Sequence, residues 1–324
     1  FVVPTHGVSS VLHDLSGSVM GHGRFGGHVW EQLELPHYRR SDVLLNLCNT
    51  GPVFRRRQLV VLHDAAVMAN PSSYSAAFRT WYRALFSGLM RRSMVIASVS
   101  RFAAAELTRY FGARASAIEI VYESGEHILR TAADSKILQR LQLGAQSYIL
   151  AVGSRSLNKN FAGVLKAAER LTDLGIKIVA AGGSDSRVFA GTKLSDDNVV
   201  LAGYVTDGEL RALYENARCF IFPSFYEGFG LPPLEAMHCG CPVIVSRRAS
   251  LPEVCGEAAV YCDPDDPKDI ADCIQRVLSS ESLQKELREA GLERTAHFTW
   301  AGAANRLEKI IVNNFDSGDV SCPE

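Results

Sequence analysis

The chain has 324 residues, 47% of them hydrophobic and 21% charged, and a formal net charge of −1. That is ordinary for a soluble globular protein, with chain enough for two domains. No apolar run approaches the roughly 18 residues of a transmembrane helix, and no repeat or low-complexity tract is visible, so a helical membrane span or a repeat architecture is excluded. The near-neutral total hides an asymmetry. Residues 1–130 hold 14 arginines, no lysine and nine acids, against 20 basic and 26 acidic residues in the remainder. The first part therefore suits an anionic partner, such as a membrane surface or a phosphorylated lipid, unless the imbalance is drift in surface composition. The cysteines at 48, 219, 239, 241, 255, 262, 273 and 322 form no C-x-x-C pair. They read as reduced, mostly buried thiols of a cytoplasmic protein. No signal peptide is recognised, and from the abrupt start at Phe1-Val2-Val3 the native N-terminus is expected to be missing from the sequence.

In chain order, "SGSVMGHGRFGGH" (16–28) carries five glycines and joins two patterned segments without a recognisable turn. Residues are expected to be missing from the sequence within about 1–30, in a loop. Strands are expected at 42–47, 58–64 and 94–100, and helices at 75–92 and 100–112. The first helix carries a stripe of Phe78, Trp81, Tyr82, Leu85, Phe86 and Leu89, flanked by Arg79, Arg83, Arg91 and Arg92. The leading reading is a core helix with Trp81 buried; the other is a face that lies on an anionic bilayer with Trp81 exposed. The alternation lapses near 130–146, which marks a domain boundary. Then it resumes: a strand at 148–154 ending in Gly153, a helix at 160–175 with Gly175 as its stop, and strands at 176–183 and 198–205. A helix at 207–217, a strand at 219–224, a helix beginning near Pro232, a strand at 242–246 and a last helix at 298–314 complete the order. Such alternation predicts parallel sheets covered on both faces, hence two Rossmann-like domains, 1–135 and 146–297, with a cleft between the carboxyl ends of their sheets.

The most informative stretch is "YEGFGLPPLEAM" (226–237). Gly228 and Gly230 allow tight turns, and Pro232 or Pro233 suits the first position of a helix. A helix N-terminus after a glycine-rich turn is an anion site. Acids beside it, Glu227 and Glu235, make sense if they serve other parts of one elongated ligand: sugar hydroxyls at one end and ribose hydroxyls at the other. That describes a nucleotide sugar, although acids near a helix start are more often caps. Ser250 and Glu253 in "SLPEV" (250–254) read as a capping box, with Pro252 inside the helix start.

The run 203–266, with its E-x7-E pair, resembles the donor domain of retaining GT-B glycosyltransferases of family 4, in particular the bacterial mannosyl-/rhamnosyltransferase-like branch. The similarity covers about residues 30–315 and is densest over 148–298. It implies a GT-B fold, two Rossmann-like domains facing across a cleft, with 298–324 a C-terminal helix that crosses back to the first domain. By resemblance Glu227 holds donor-sugar hydroxyls, Glu235 holds the ribose, and the backbone of Gly228, Phe229, Gly230 and Leu231 surrounds the sugar and diphosphate. "GSRSLNKNF" (153–161) matches the family's phosphate loop. Lys159 fits its lysine, whereas its arginine position is Ser154, with Arg155 displaced by one. Gly182, Gly183, Tyr204 and Val205 fall where the family places base and ribose; the ring of Tyr204 suits a core aromatic, with the contact made by backbone. In the first domain, "VVLHDAAVMANP" (60–71) resembles the segment that puts His63 near the transferred carbon, with Asp64 orienting the turn. "GHVWEQLELP" (27–36) resembles the acceptor side, with Trp30 or its neighbours lining it.

The implied reaction moves a hexose, first guess mannose from GDP-mannose, to a saccharide hydroxyl with retention, in bacterial surface polysaccharide synthesis. No metal or other cofactor is expected. Lys159 and the helix end would hold the leaving phosphate's charge, and Glu227 would orient the sugar. The expected partners are a nucleotide sugar and a saccharide acceptor, with a polyprenyl-diphosphate link and a peripheral contact at the inner face of the cytoplasmic membrane as further expectations; no nucleic acid is expected. A GT-B-fold nucleotide-sugar epimerase and a non-catalytic partner subunit remain as alternatives.

Overall fold

A computed structural model describes residues 2–4, 19–112, 118–153, 157–171, 175–182 and 199–315. The chain divides into two compact units: 1–99 with 103–121 and 306–324, and 100–102 with 122–305. Residues 122–135, grouped by the sequence pattern with the first domain, belong with the second unit. Their packing explains it. At Gly125 an added Cβ would lie 2.7 Å from the backbone nitrogen of Glu235, an approach that leaves no trace in hydrophobic periodicity. The expectation of missing residues within 1–30 falls largely on 5–18, outside the described residues.

In the first unit, β1 (Val2–Val3) pairs in parallel with β2 (Met20–Gly21). A parallel sheet in the order β3 (Leu44–Asn46), β4 (Gln58–Leu62), β5 (Val95–Ser98), β6 (Ile118–Ile120) follows. Strands β4 and β5 are buried throughout and read as continuous apolar runs because helices cover both faces of such sheets. Short helix α1 (Gly27–Leu33) and α2 (Ala66–Ala69) precede α3 (Ala76–Arg92) and α4 (Arg101–Phe111). Ser75 caps α3 by accepting from Phe78 N, as a serine at that position should.

Helix α3 divides the two readings of its stripe. Leu85, Phe86 and Leu89 are buried against Val60, Leu62, Ile96 and Leu107. One to two turns earlier, Phe78 and Trp81 remain 40% and 41% exposed. The leading expectation, a buried Trp81, is therefore corrected. Only the C-terminal half of the stripe joins the core. Phe78 stacks on Tyr82 at 4.4 Å, and the Trp81 ring lies 5.5 Å from His28.

The second unit is built on a parallel sheet in the order β12-β11-β10-β7-β8-β9: β7 (Tyr148–Val152), β8 (Lys177–Ala181), β9 (Val199–Gly203), β10 (Cys219–Phe222), β11 (Val243–Ser246) and β12 (Ala259–Cys262). The chain runs from β7 outward through β8 and β9, then returns to the other side of β7 as β10. The order reverses between β7 and β10, and in open parallel sheets that switch point is where a crevice opens at the strands' carboxyl ends. Its helices are α5 (Lys136–Arg140), α6 (Phe161–Ala168), α7 (Asp207–Asn216), α8 (Leu231–His238), α9 (Leu251–Cys255), α10 (Pro267–Leu278) and α11 (Glu281–Thr295). Helix α7 starts with a reciprocal capping box, Thr206 with Glu209. The last helix, α12 (Trp300–Phe315), begins in the second unit, where Trp300 N donates to Glu126 Oε1 at 3.0 Å. It ends in the first, where Arg306 pairs with Glu119 at 2.6 Å and Arg57 donates to the Phe315 carbonyl at 3.1 Å.

Two glycines separate clash from backbone strain. Gly182 has φ +128°, and a Cβ there would sit 2.1 Å from the Gly153 carbonyl oxygen; Gly175 has φ +60° and open space around it. Gly175→Ala should cost roughly 1 kcal/mol, whereas Gly182→Ala should cost several times that, since the ends of β7 and β8 must part. Urea unfolding midpoints of the two variants check the ranking.

Candidate functional site

Two loops meet at the switch point. One follows β7: Gly153, then a 3-10 turn at Leu157–Lys159, then Asn160 with left-handed φ of +52° as the N-cap of α6. Asn160 holds this bend from inside, its Oδ1 accepting from Gly163 N at 3.2 Å and its Nδ2 donating to the Pro264 carbonyl at 2.7 Å. The other follows β10 through Pro223 and Ser224 to Tyr226 and Glu227. The loops are tied together: Phe225 N donates to the Asn158 carbonyl at 2.7 Å, and Asn158 Nδ2 to the Tyr226 carbonyl at 3.0 Å.

This scaffold brings two predicted residues into contact. The Lys159 ammonium lies 2.7 and 2.9 Å from the two carboxylate oxygens of Glu227, and 4.9 Å from the Phe222 ring centroid. Ser224 donates to Glu227 Oε1 at 2.5 Å and is itself fully buried. Ser250 holds the turn from the far side, its hydroxyl 2.6 Å from the Phe229 carbonyl and 3.0 Å from that of Glu227. The Gly228 carbonyl accepts from Ser100. Phe229 is buried beside the rings of Tyr122 and Phe298, and Gly230, φ +112°, is the N-cap of α8. Leu231, not a proline, opens that helix; Pro232 and Pro233 take the next two places. Two of the first four backbone donors are thereby missing, so α8 offers an anion its dipole and the Leu231 amide rather than a full set of N–H groups.

Glu235 sits one turn into α8, 9% exposed. Its Oε2 accepts from Tyr214 on α7 at 3.1 Å and its Oε1 contacts His127 Nε2 at 3.0 Å. The hydrogen bond to Glu235 raises the His127 pKa, and burial pushes that of Tyr214 well up. His238 on the same helix is held down by burial, and its Nε2 is buried without a hydrogen-bond partner.

The other predicted residues fall elsewhere. The Tyr204 ring is 88% exposed, not a core aromatic, because it lies just beyond the last residue of edge strand β9. Val205 beside it is half-buried, and Gly182 closes onto Gly203 through its amide at 2.8 Å. Ser154, Arg155 and Gly183 lie outside the described residues. In the first unit, Trp30 is buried and its indole donates to the His22 carbonyl at 2.6 Å. His63 follows β4, with its Nε2 2.6 Å from the Leu47 carbonyl, and Asp64 accepts from Ala66 N at 2.8 Å, starting α2. Glu253 does not form the expected capping box. Ser250 makes no cap bond to its own helix, and the Glu253 carboxylate instead accepts from Arg101 N, Phe102 N and Tyr122. A partner 151 residues away outcompeted the local one. Sequence reading also missed Ser224, His127 and Tyr214. The one signal for Ser224 was a small polar residue at the end of an apolar strand run.

Residues 135–294 match the family of group 1 glycosyl transferases. The chain is 34% identical to O-antigen chain mannosyltransferase B of Escherichia coli over 259 residues, 75% of this chain and 67% of that one. It is 42% identical over 112 residues to the serotype-specific mannosyltransferase WbdA of Escherichia coli, 35% of this chain but only 14% of that protein. The fold resembles sucrose-phosphate synthase from Thermosynechococcus elongatus, with a TM-score of 0.67 at 22% identity, covering 81% of this chain and 68% of the other. The chain belongs to the group 1 glycosyltransferases, and its two Rossmann-like units are those of the GT-B fold.

Glu253→Ala should raise amide hydrogen exchange at Arg101 and Phe102 while leaving residues 251–254 near wild type. The reverse pattern would restore the local capping box.

Proposed function

We propose that this chain transfers a hexose, mannose in the first instance, from a nucleoside diphosphate donor to a saccharide hydroxyl, with retention and without a metal ion. The chain spans two thirds of one curated relative and a small part of another; both are named as mannosyltransferases, which supports the sugar and leaves the base, with GDP first, to experiment. The observation that carries the reading is the Lys159–Glu227 pair at the switch point. An ammonium and a carboxylate that neutralise one another in the free site are the two groups a nucleotide sugar needs. Sugar hydroxyls donate to Glu227, and the diphosphate takes Lys159, so each charge exchanges one partner for another and neither is left bare.

In the proposed step the bond from the anomeric carbon to the diphosphate oxygen breaks, and the acceptor oxygen bonds to that carbon on the same face. The acceptor's proton passes to the departing diphosphate. Lys159, with the dipole and first amide of α8, stabilises the negative charge that grows on the leaving group. Glu235 holds ribose hydroxyls, and His63, Asp64 and Trp30 are assigned to the acceptor side by resemblance alone. Incubation with labelled GDP-mannose and UDP- and dTDP-hexoses separates the alternatives: hydrolysis or transfer supports a transferase, sugar interconversion an epimerase, no turnover a binding subunit.

Glu227→Ala should lower the transfer rate by roughly 100-fold or more and keep the fold, since the residue packs into no core. Lys159→Ala should weaken nucleoside diphosphate binding as well as turnover. Wild-type kcat in the first variant, or unchanged diphosphate affinity by calorimetry in the second, removes that residue from the site.

The acceptor is proposed to be a polyprenyl-diphosphate-linked saccharide, met at an anionic membrane surface by the N-terminal half of α3. The exposure of Phe78 and Trp81 beside Arg79 and Arg83 supports this. Trp81→Ala should then cost much less than the roughly 3–5 kcal/mol of a buried tryptophan and reduce binding to phosphatidylglycerol vesicles at low salt. Vesicle binding that the substitution leaves untouched would end the membrane proposal.

A further inference from the structure

The surroundings of His127 ask for a charge on its ring. Nε2 lies 3.0 Å from Glu235 Oε1, and Nδ1 lies 3.3 Å from the Ser124 carbonyl. Both partners are acceptors only, so both ring nitrogens must carry hydrogen for the two contacts to be bonds, and that species is the imidazolium. The backbone is shaped for the contact. Gly125 lets the 124–127 segment approach the Glu235 backbone more closely than any side chain would permit. On the opposite side Tyr214 donates to the second oxygen of the same carboxylate. Glu235 is thus gripped from two elements, each of its oxygens holding one donor and keeping capacity for another.

We propose that His127 is a positioning residue that orients and neutralises the Glu235 carboxylate for the ribose hydroxyls of the donor, so that nucleotide affinity depends on its protonation. The inference rests on the ribose role given to Glu235 above. The titratable groups around the ring are Glu235 and His238 on α8, Tyr214 and Asp207 on α7, and Glu126 beside it. The acids favour the imidazolium. Tyr214 stays neutral because burial raises its pKa, and burial lowers that of His238, which weakens its competition for a proton. The sign follows. Below the raised His127 pKa the pair with Glu235 is neutral. Above it the pair carries one negative charge close to where a nucleoside diphosphate, itself an anion, binds. Affinity therefore falls as pH rises through that pKa, which lies above the ordinary histidine value of about 6.5.

The test is calorimetry on the full chain with GDP and UDP and with their 2′,3′-dideoxy analogues. Wild type should prefer the natural ribose roughly tenfold, the scale of a hydrogen bond to a charged group. Glu235→Gln and His127→Ala should each remove most of that preference. His127→Gln, which keeps a donor but no charge, should retain much of it. At about pH 6 wild type should bind the natural nucleotide several-fold more tightly than His127→Gln, and the two should converge as pH rises; their ratio cancels the titration of the nucleotide itself. Equal affinity of wild type for natural and dideoxy forms, or no binding of either nucleotide, sinks the ribose role and this inference together. Loss of preference in Glu235→Gln, with a pH-independent ratio of wild type to His127→Gln, keeps the ribose role and overturns the inference.

Discussion

The ion pair between Lys159 and Glu227 is the contact on which the second unit's site depends. It joins the loops after β7 and β10, the two strands between which the sheet order reverses. Both side chains are largely buried, so each has given up water, and neither can be left without a partner cheaply. Under the proposed function the pair does more than cross-link two loops: it favours molecules that are polyhydroxylated at one end and phosphorylated at the other.

What keeps the pair in place is neutral. Ser224, Asn158, Asn160 and Ser250 are hydroxyls and amides that bond mainly to loop carbonyls. None changes charge near neutral pH, so the geometry of the turn is insensitive to protonation. The titratable part is displaced to the second glutamate, where His127 and Tyr214 hold the carboxylate. The two acids of one motif thus sit in different electrostatic settings: one is paired with a lysine, the other with a histidine whose charge can be lost.

The first unit follows a different economy. Its arginines are used partly as structural donors. Arg55 is buried and satisfies the carbonyls of Tyr38, Arg39 and Asp42, and Arg57 fixes the end of the last helix. The basic excess of residues 1–130 is therefore not all surface charge. Arg83, Arg91 and Arg92 on α3 remain its exposed component.

The sequence by itself determined the elements and the chemistry-bearing loops. Apolar runs such as "CFIF" and "YILAV" placed strands β7 to β11 to within a few residues, helical spacing placed α7, and glycine and proline marked the turn after Glu227, whereas α10 and α11 were not anticipated. These signals are local, since they arise from the chain's own periodicity and backbone preferences. Strands β6 and β12 were not anticipated; in β6 the central Glu119 breaks the apolar run. Only tertiary structure decided the rest. That Lys159 meets Glu227 needs the sheet order, because 68 residues separate them. That Trp81 stays exposed while Leu89 is buried depends on which half of α3 packs into the core. That Glu253 serves Arg101 and Phe102 instead of Ser250, and that His127 and Tyr214 close on Glu235, follows from how separate segments pack. Hydrogen-bond partners are chosen by proximity in space, and periodicity along a chain carries no record of which distant donor arrives first.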